Sequence, residues 1–310
     1  MKLLITALLF AGISFAQTPS RPRIPGVGHV AFCVSDIEKS RVFYKDLLGY
    51  QEPFDLKKPD GSLSLTFIKI NDHQYVELFP GLKQDGDRLH HISIYTDNAE
   101  RMRVYLGSRG VAVPASVPMG RIGNSNFNVK DPDGHTVEIV QYEPDGWSMR
   151  ERGKFMNDNR ISTRMLHTGI IVGDVPAAMK FYGEILGFRE IWRGSRDGET
   201  LDWINMQVPD GTDYVEFMLY RKLPAGNARG SQHHICLEVP DMDAARARIE
   251  PRVARTGYSR PLEIRTGVNR KRQLNLYDPD GTRTELMEPR TVDGKPAPSA
   301  TAPPPVRVSQ

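Results

Sequence analysis

Eight side chains in this 310-residue chain combine the residue types and the spacing of a repeated metal-ligand set. Glu77 follows His29 by 48 residues, Glu138 follows His91 by 47, Glu216 follows His167 by 49, and Glu285 follows His234 by 51. Each Glu lies in an apolar run, as in Val76-Glu77-Leu78 and Val137-Glu138-Ile139. A carboxylate there costs several kcal/mol unless it is paired or coordinates a metal. One strand His is ordinarily a satisfied core residue and one strand Glu a salt-bridged one; recurrence four times at one spacing favours ligation. Two His with two Glu make an N/O site for a divalent ion of the Ni, Zn, Co, Fe or Mn group, with positions left for substrate or water.

The elements that must position these groups repeat as well. His29 to Gly49 matches His167 to Gly187 at a constant offset of 138 residues. Further matches link His90-His91-Ile92 with His233-His234-Ile235, Tyr75-Val76-Glu77 with Tyr214-Val215-Glu216, and Asp131-Pro132-Asp133-Gly134 with Asp278-Pro279-Asp280-Gly281. The chain is therefore a tandem duplication over about 24–143 and 164–289, and each half is itself doubled. Val30, Phe32 and Val34 alternate with His29, Ala31 and Cys33, the period of a half-buried strand. This puts each His on the face opposite the apolar positions, pointing into whatever cavity the sheet encloses.

Asp36 and Asp174 stand at helix N-caps, and both helices end on Leu-Gly. The Phe43-Tyr44 and Phe181-Tyr182 pairs read as core packing, and the Pro-Asp-Gly segments as turns between short strands. Residues 144–163, polar and without period, read as a linker. Residues 290–310, rich in Pro and Ala, read as a disordered tail. His73, His90, His135 and His233 fall outside the repeat register and are assigned structural or rim roles, and Cys33 and Cys236 read as buried free thiols.

A strand with His, a helix ending Phe-Tyr-x-x-x-Leu-Gly and a closing Asp-Pro-Asp-Gly-x-x-x-Glu resemble the vicinal oxygen chelate superfamily, which includes glyoxalase I, methylmalonyl-CoA epimerase, extradiol dioxygenases and bleomycin-resistance proteins. The resemblance covers both halves. It implies an α+β fold of four βαβββ modules forming two tandem glyoxalase-like domains (24–143 and 164–289), each pair of modules building a cupped mixed sheet around a metal. The set is most similar to that of glyoxalase I. The implied ligands are His29, Glu77, His91 and Glu138, and His167, Glu216, His234 and Glu285. The last-strand Glu138 and Glu285 would double as the base in a lyase or isomerase reaction, moving a proton on a small molecule chelated through two vicinal oxygens, with the metal stabilising an enediolate.

Extradiol dioxygenases use two His and one Glu, which His167, His234 and Glu285 match. That pattern expects a Tyr ten residues before the Glu, where Asn128 and Asn275 stand, and a further His upstream of it, which is missing between His234 and Glu285. A non-catalytic binding protein of the bleomycin-resistance type is the third reading. Arg88 and Arg229, ahead of the second His of each half, are candidates for meeting an anionic group of the substrate, with a solvated loop arginine as the alternative. Each site forms within a half or across halves, with His29 and Glu77 joined by His234 and Glu285; both arrangements stay open.

The 41 basic and 38 acidic side chains leave no concentrated basic face for nucleic acid. Two cysteines are too few for a disulfide framework or a Cys-ligated zinc site. Lys2, the apolar run Leu3–Ile13 and small residues at Ser14 and Ala16 predict a secretory signal peptide, residues 1–16, with an uncleaved anchor as the alternative. A periplasmic or secreted protein, without stable membrane insertion after cleavage, is expected.

Overall fold

The computed structural model describes residues 19–308, so the expected signal peptide lies outside the described residues. The first half runs β1 (Gly26–Val34), α1 (Ile37–Arg41), β2 (Gln51–Lys57), β3 (Leu63–Lys69), β4 (Tyr75–Pro80), β5 (Leu89–Tyr95), α2 (Ala99–Ser108), β6 (Ser125–Lys130) and β7 (Thr136–Gln141). A short helix α3 (Trp147–Arg150) lies in the expected linker. The second half runs β8 (Met165–Val172), α4 (Val175–Ala178), β9 (Arg189–Gly194), β10 (Trp203–Gln207), β11 (Tyr214–Leu219), β12 (His234–Glu238), α5 (Met242–Thr256), β13 (Ile264–Thr266), β14 (Lys271–Tyr277) and β15 (Arg283–Thr291).

Each half closes its own curled mixed sheet. The strand orders are β2-β3-β4-β1-β5-β7-β6 and β13-β14-β15-β12-β8-β11-β10-β9. The site-bearing strands occupy four adjacent central positions in both: β4-β1-β5-β7 and β11-β8-β12-β15. Three of the four modules have the full βαβββ order. The second lacks one strand and keeps only a single bridge between Met119 and Ser125. Pro114 and Pro118 fall in that stretch, and proline cannot donate to a ladder.

The helix caps act as the sequence indicates. The Asp36 carboxylate accepts from the backbone N–H groups of Glu38 and Lys39, and that of Asp174 from Ala177. Both first-module helices then widen into a π turn, Val42–Leu47 and Met179–Ile185, which carries the buried Phe-Tyr pairs. Gly49 and Gly187, at φ 83° and 78°, take the left-handed conformation that reverses the chain after each π turn.

One continuous apolar cluster runs through both halves, from Val30 and Phe32 to Ile170, Phe217 and Leu286. The Asp-Pro-Asp-Gly turns of each half also reach the other. Asp133 Oδ2 accepts from the Gly173 and Asp174 N–H groups, and Asp280 Oδ2 from the Ser35 N–H. The Tyr182 hydroxyl, on the second-half π turn, donates to Asp131 Oδ2 at 3.1 Å. These motifs therefore dock the duplicated halves as well as turning the chain.

The tail departs from the expected disorder. β15 extends to Thr291, and residues 298–308 lie extended along the second half. Trp192 Nε1 donates to the Pro298 carbonyl, the Ala300 N–H to Arg193, and the Leu201 N–H to the Pro303 carbonyl, while Ala302 is buried. The reason is that β9, at the sheet edge, leaves main-chain groups unpaired, and an extended Pro-rich segment can satisfy them.

Candidate metal centres and their cups

Register explains how the eight residues converge. In parallel β1 and β4, His29 pairs with Tyr75 and Ala31 with Glu77; in antiparallel β1 and β5, His29 pairs with Ser93 and Ala31 with His91; in β5 and β7, Ser93 pairs with Glu138. All these positions share one sheet face, so His29, Glu77, His91 and Glu138 meet in the first cup. The second half repeats the layout through pairs of His167 with Tyr214, His234 with Gly169, and Cys236 with Glu285. Sites thus form within each half.

In the first centre the Nε2 atoms of His29 and His91 are 2.9 Å apart, and the Glu77 and Glu138 oxygens lie 3.4 to 3.6 Å from them. In the second, His167 and His234 Nε2 are 3.1 Å apart, with Glu216 and Glu285 oxygens at 3.4 to 3.8 Å. Donor atoms about 2.1 Å from a common ion would stand roughly 3.0–3.4 Å from one another. The spacing and the donor set therefore fit a divalent ion. His29, Glu77 and His91, and His167, Glu216, His234 and Glu285, are buried groups with ligand atoms close enough to share one. His234 is oriented by its Nδ1, 2.8 Å from the Gln232 carbonyl oxygen, the outer bond usual for a metal-ligating His.

Electrostatics show what these centres hold without an ion. Burial opposes a charge on His29, but the Glu77 and Glu138 carboxylates outweigh it and raise its pKa to about 9. Burial and the neighbouring His29 charge lower His91 to about 3. Burial, partly offset by His29, raises Glu77. In the second centre burial and the His234 and Arg283 charges lower His167 to about 4, while Glu285, despite burial, is held below the ordinary carboxylate range by His234, Arg283 and His167.

The cups differ. The first, about 270 Å³, is lined by Leu65, Phe67, Tyr75 and Phe79 with Asn126 and Asn128, and by one exposed arginine, Arg121. The second, about 290 Å³, is lined by Trp192, Trp203, Asn275 and three arginines, Arg196, Arg265 and Arg283. Repeat alignment places Arg283 opposite Thr136, a mismatch two residues before the last ligand that was readable in the sequence but unassigned.

Arg88 and Arg229 do not line either cup, which corrects the expectation for them. Arg229 pairs with Asp87 of the other half at 2.9 Å, and Arg88 donates to the Asp280 carbonyl, also across the halves. Both strands continue into connections that face the partner half, so their charges serve docking. His233 joins this network through Asp87 at 3.0 Å, and His135 is held by Asp131 at 2.8 Å. His90 stacks on Phe79 at the first cup, and His73 stacks on Tyr95. Cys33 and Cys236 are free, the first half-buried and the second buried.

The chain is similar in sequence or fold to several known proteins. Over 307 residues the chain is 22% identical to lactoylglutathione lyase of Schizosaccharomyces pombe, covering 84% of this chain and 96% of the relative. Over 128 residues it is 28% identical to human mitochondrial methylmalonyl-CoA epimerase, covering 37% of this chain and 73% of that protein. The 2,3-dioxygenase LapB from Pseudomonas sp. KL28 has a similar fold, with TM-score 0.66 and 19% identity over 89% of this chain and 97% of that one. A ring-cleaving extradiol dioxygenase from Brevibacterium fuscum gives TM-score 0.65 and 20% identity over 94% and 79%. The family model described as Glyoxalase/Bleomycin resistance protein/Dioxygenase superfamily matches twice, over residues 26–139 and 164–286, and the chain belongs to that superfamily.

Proposed function

We propose that the protein is a divalent-metal-dependent lyase or isomerase of the glyoxalase I kind, acting on small molecules with two adjacent oxygens. The observation that supports this reading most is the convergence of two His and two Glu in each cup, all four within mutual ligand reach in the second and His29, Glu77 and His91 in the first, with Glu138 beside both His. A bound divalent ion would supply Lewis acidity to the two substrate oxygens.

The chain's own residues do the rest. His29, Glu77, His91 and Glu138, like His167, Glu216, His234 and Glu285, would hold the ion and fix where the oxygens sit. Glu138 and Glu285, on the last strand of each cup, are placed to take a proton from the substrate carbon beside the carbonyl and return it to the neighbouring carbon. Glu138 is the most exposed of its four, and no Lys or Arg pairs with it among the described residues. Leu65, Phe67 and Phe79 give one side of the first cup an apolar wall against which the substrate carbon can rest. Export is proposed alongside, on the strength of the N-terminal signal-peptide pattern, and intact-mass measurement of secreted protein should find residues 1–16 removed.

Incubating Ni-, Zn-, Co-, Fe- or Mn-loaded protein with 2-hydroxy carbonyl compounds in deuterated water tests the reading. Deuterium should enter the substrate at the carbon next to the carbonyl, and Glu138→Gln with Glu285→Gln should abolish it. Oxygen consumption with catechols and no exchange with any of these metals would instead favour the dioxygenase reading.

A further inference from the structure

Arg283 distinguishes the two cups. It sits two residues before Glu285 on β15, so its side chain enters the cup beside the ligands, and Nη2 lies 2.9 Å from both ring nitrogens of His234. Its Nε is buried with no hydrogen-bond partner, and it forms no ion pair within 4.0 Å among the described residues. The two other arginines of the cup are engaged: Arg196 lies 3.8 Å from Asp202 and over the Trp203 ring, and Arg265 pairs with Glu263. A guanidinium stays charged at any physiological pH, and a partly buried one without a counter-ion calls for an anion.

On the metal-dependent reading above, on which this inference rests, the charges can be counted. A divalent ion cancels Glu77 and Glu138 in the first cup, where the nearby cations, Arg121 and Lys130, are solvent-exposed and bonded to the Lys57 carbonyl and Ser64 hydroxyl and to the Gly134 carbonyl and Thr136 hydroxyl. In the second it cancels Glu216 and Glu285 and leaves Arg283 uncompensated. We propose that the second cup selects a monoanionic substrate, a small 2-oxo or 2-hydroxy carboxylate whose carboxylate is bound by Arg283, whereas the first cup takes an uncharged vicinal-oxygen compound. A single carboxylate balances the extra charge: one of its oxygens and the adjacent 2-oxygen remain for chelation while the other carboxylate oxygen accepts a charge-assisted bond from the Arg283 guanidinium. At its counterpart, Thr136 offers only a hydroxyl, and that hydroxyl is already bonded to Lys130 Nζ at 2.8 Å.

The test uses metal-loaded full-length protein and two small probes, 2-oxobutanoate and uncharged 3-hydroxybutan-2-one. Binding is followed by the fluorescence of Trp192 and Trp203, which line the second cup, and metal content is measured on the same samples. We expect 2-oxobutanoate to quench this fluorescence and Arg283→Thr to weaken its binding at least tenfold, as loss of a charge-assisted bond implies, with the binding of 3-hydroxybutan-2-one, followed by titration calorimetry, unaffected and bound metal not reduced. Arg283→Lys, which keeps the charge but not the fork and serves if the Thr variant does not fold, should weaken binding by a smaller factor. Equal affinity of wild type and both variants for 2-oxobutanoate, with metal present, would overturn the Arg283 assignment alone. Absence of metal from wild-type protein loaded with each of the divalent ions would overturn the metal-dependent reading and this inference with it.

Discussion

The His234 ring lies against the backbone of Gly169, close enough that a Cβ at position 169 would stand 2.0 Å from the ring's Cε1. The two residues are register partners in β8 and β12. In the first half Ala31 faces His91 at the same register, and His91 instead leans toward His90, their Nδ1 atoms 2.8 Å apart. Gly169→Ala must push His234 off its position. Metal analysis should show the second ion lost and the first retained, because displacing a ligand costs at least the 10- to 100-fold typical of disturbing its outer support.

Acid should release the ion from the first centre. A metal binds neutral imidazole, and the metal-free His29 holds its proton up to a pH of about 9. Apparent affinity should therefore rise with pH up to about 9 and fall by up to tenfold for each unit below it. Competition against a chelator at pH 6, 7 and 8 gives the slope; a flat profile would contradict the proton displacement.

Asp278 gives a separate pH dependence, of folding. Burial and the Asp280 charge raise its pKa from 3.8 to about 7, and its Oδ2 is buried without a partner. The native state thus binds this proton more tightly than the unfolded chain. Its stabilising effect is complete below about pH 4 and is lost as pH rises toward 7, by on the order of a few kcal/mol. Denaturation of wild type and Asp278→Asn from pH 4 to 8 should show the variant gaining relative stability as pH rises; a constant difference would contradict it.

Much of this was legible in the sequence because burying a carboxylate is costly. Glu77, Glu138, Glu216 and Glu285 stand out in apolar strands, and their recurrence identifies the cups before any coordinates. The N-caps Asp36 and Asp174 were equally readable, since they bond within one turn. What was not readable depends on long-range contact. Arg88 and Arg229 look like substrate arginines in one dimension, whereas their partners Asp280 and Asp87 lie in the opposite half. The tail looked too polar and Pro-rich to order, and only the open edge at β9 explains why it packs. Whether modules paired within or across halves was decided by strand order, which repeat spacing does not encode.

The revised role of Arg229 has its own consequence. Its ion pair with Asp87 is partly exposed, so Arg229→Ala should lower stability by about 1 kcal/mol or less. Turnover and metal content should remain at wild-type levels, as steady-state kinetics on any turned-over substrate would show; a rise in KM without loss of stability would return Arg229 to the substrate.

Two centres, each complete within one half, make up the central claim, and counting metal ions in ligand variants tests it most directly. Elemental analysis of metal-loaded wild type should give about two divalent ions per chain, one for each fitting donor set. Glu138→Gln and Glu285→Gln should each leave about one, and the double variant close to none. Retention of both ions in the double variant, or loss of both in either single variant, would contradict the account.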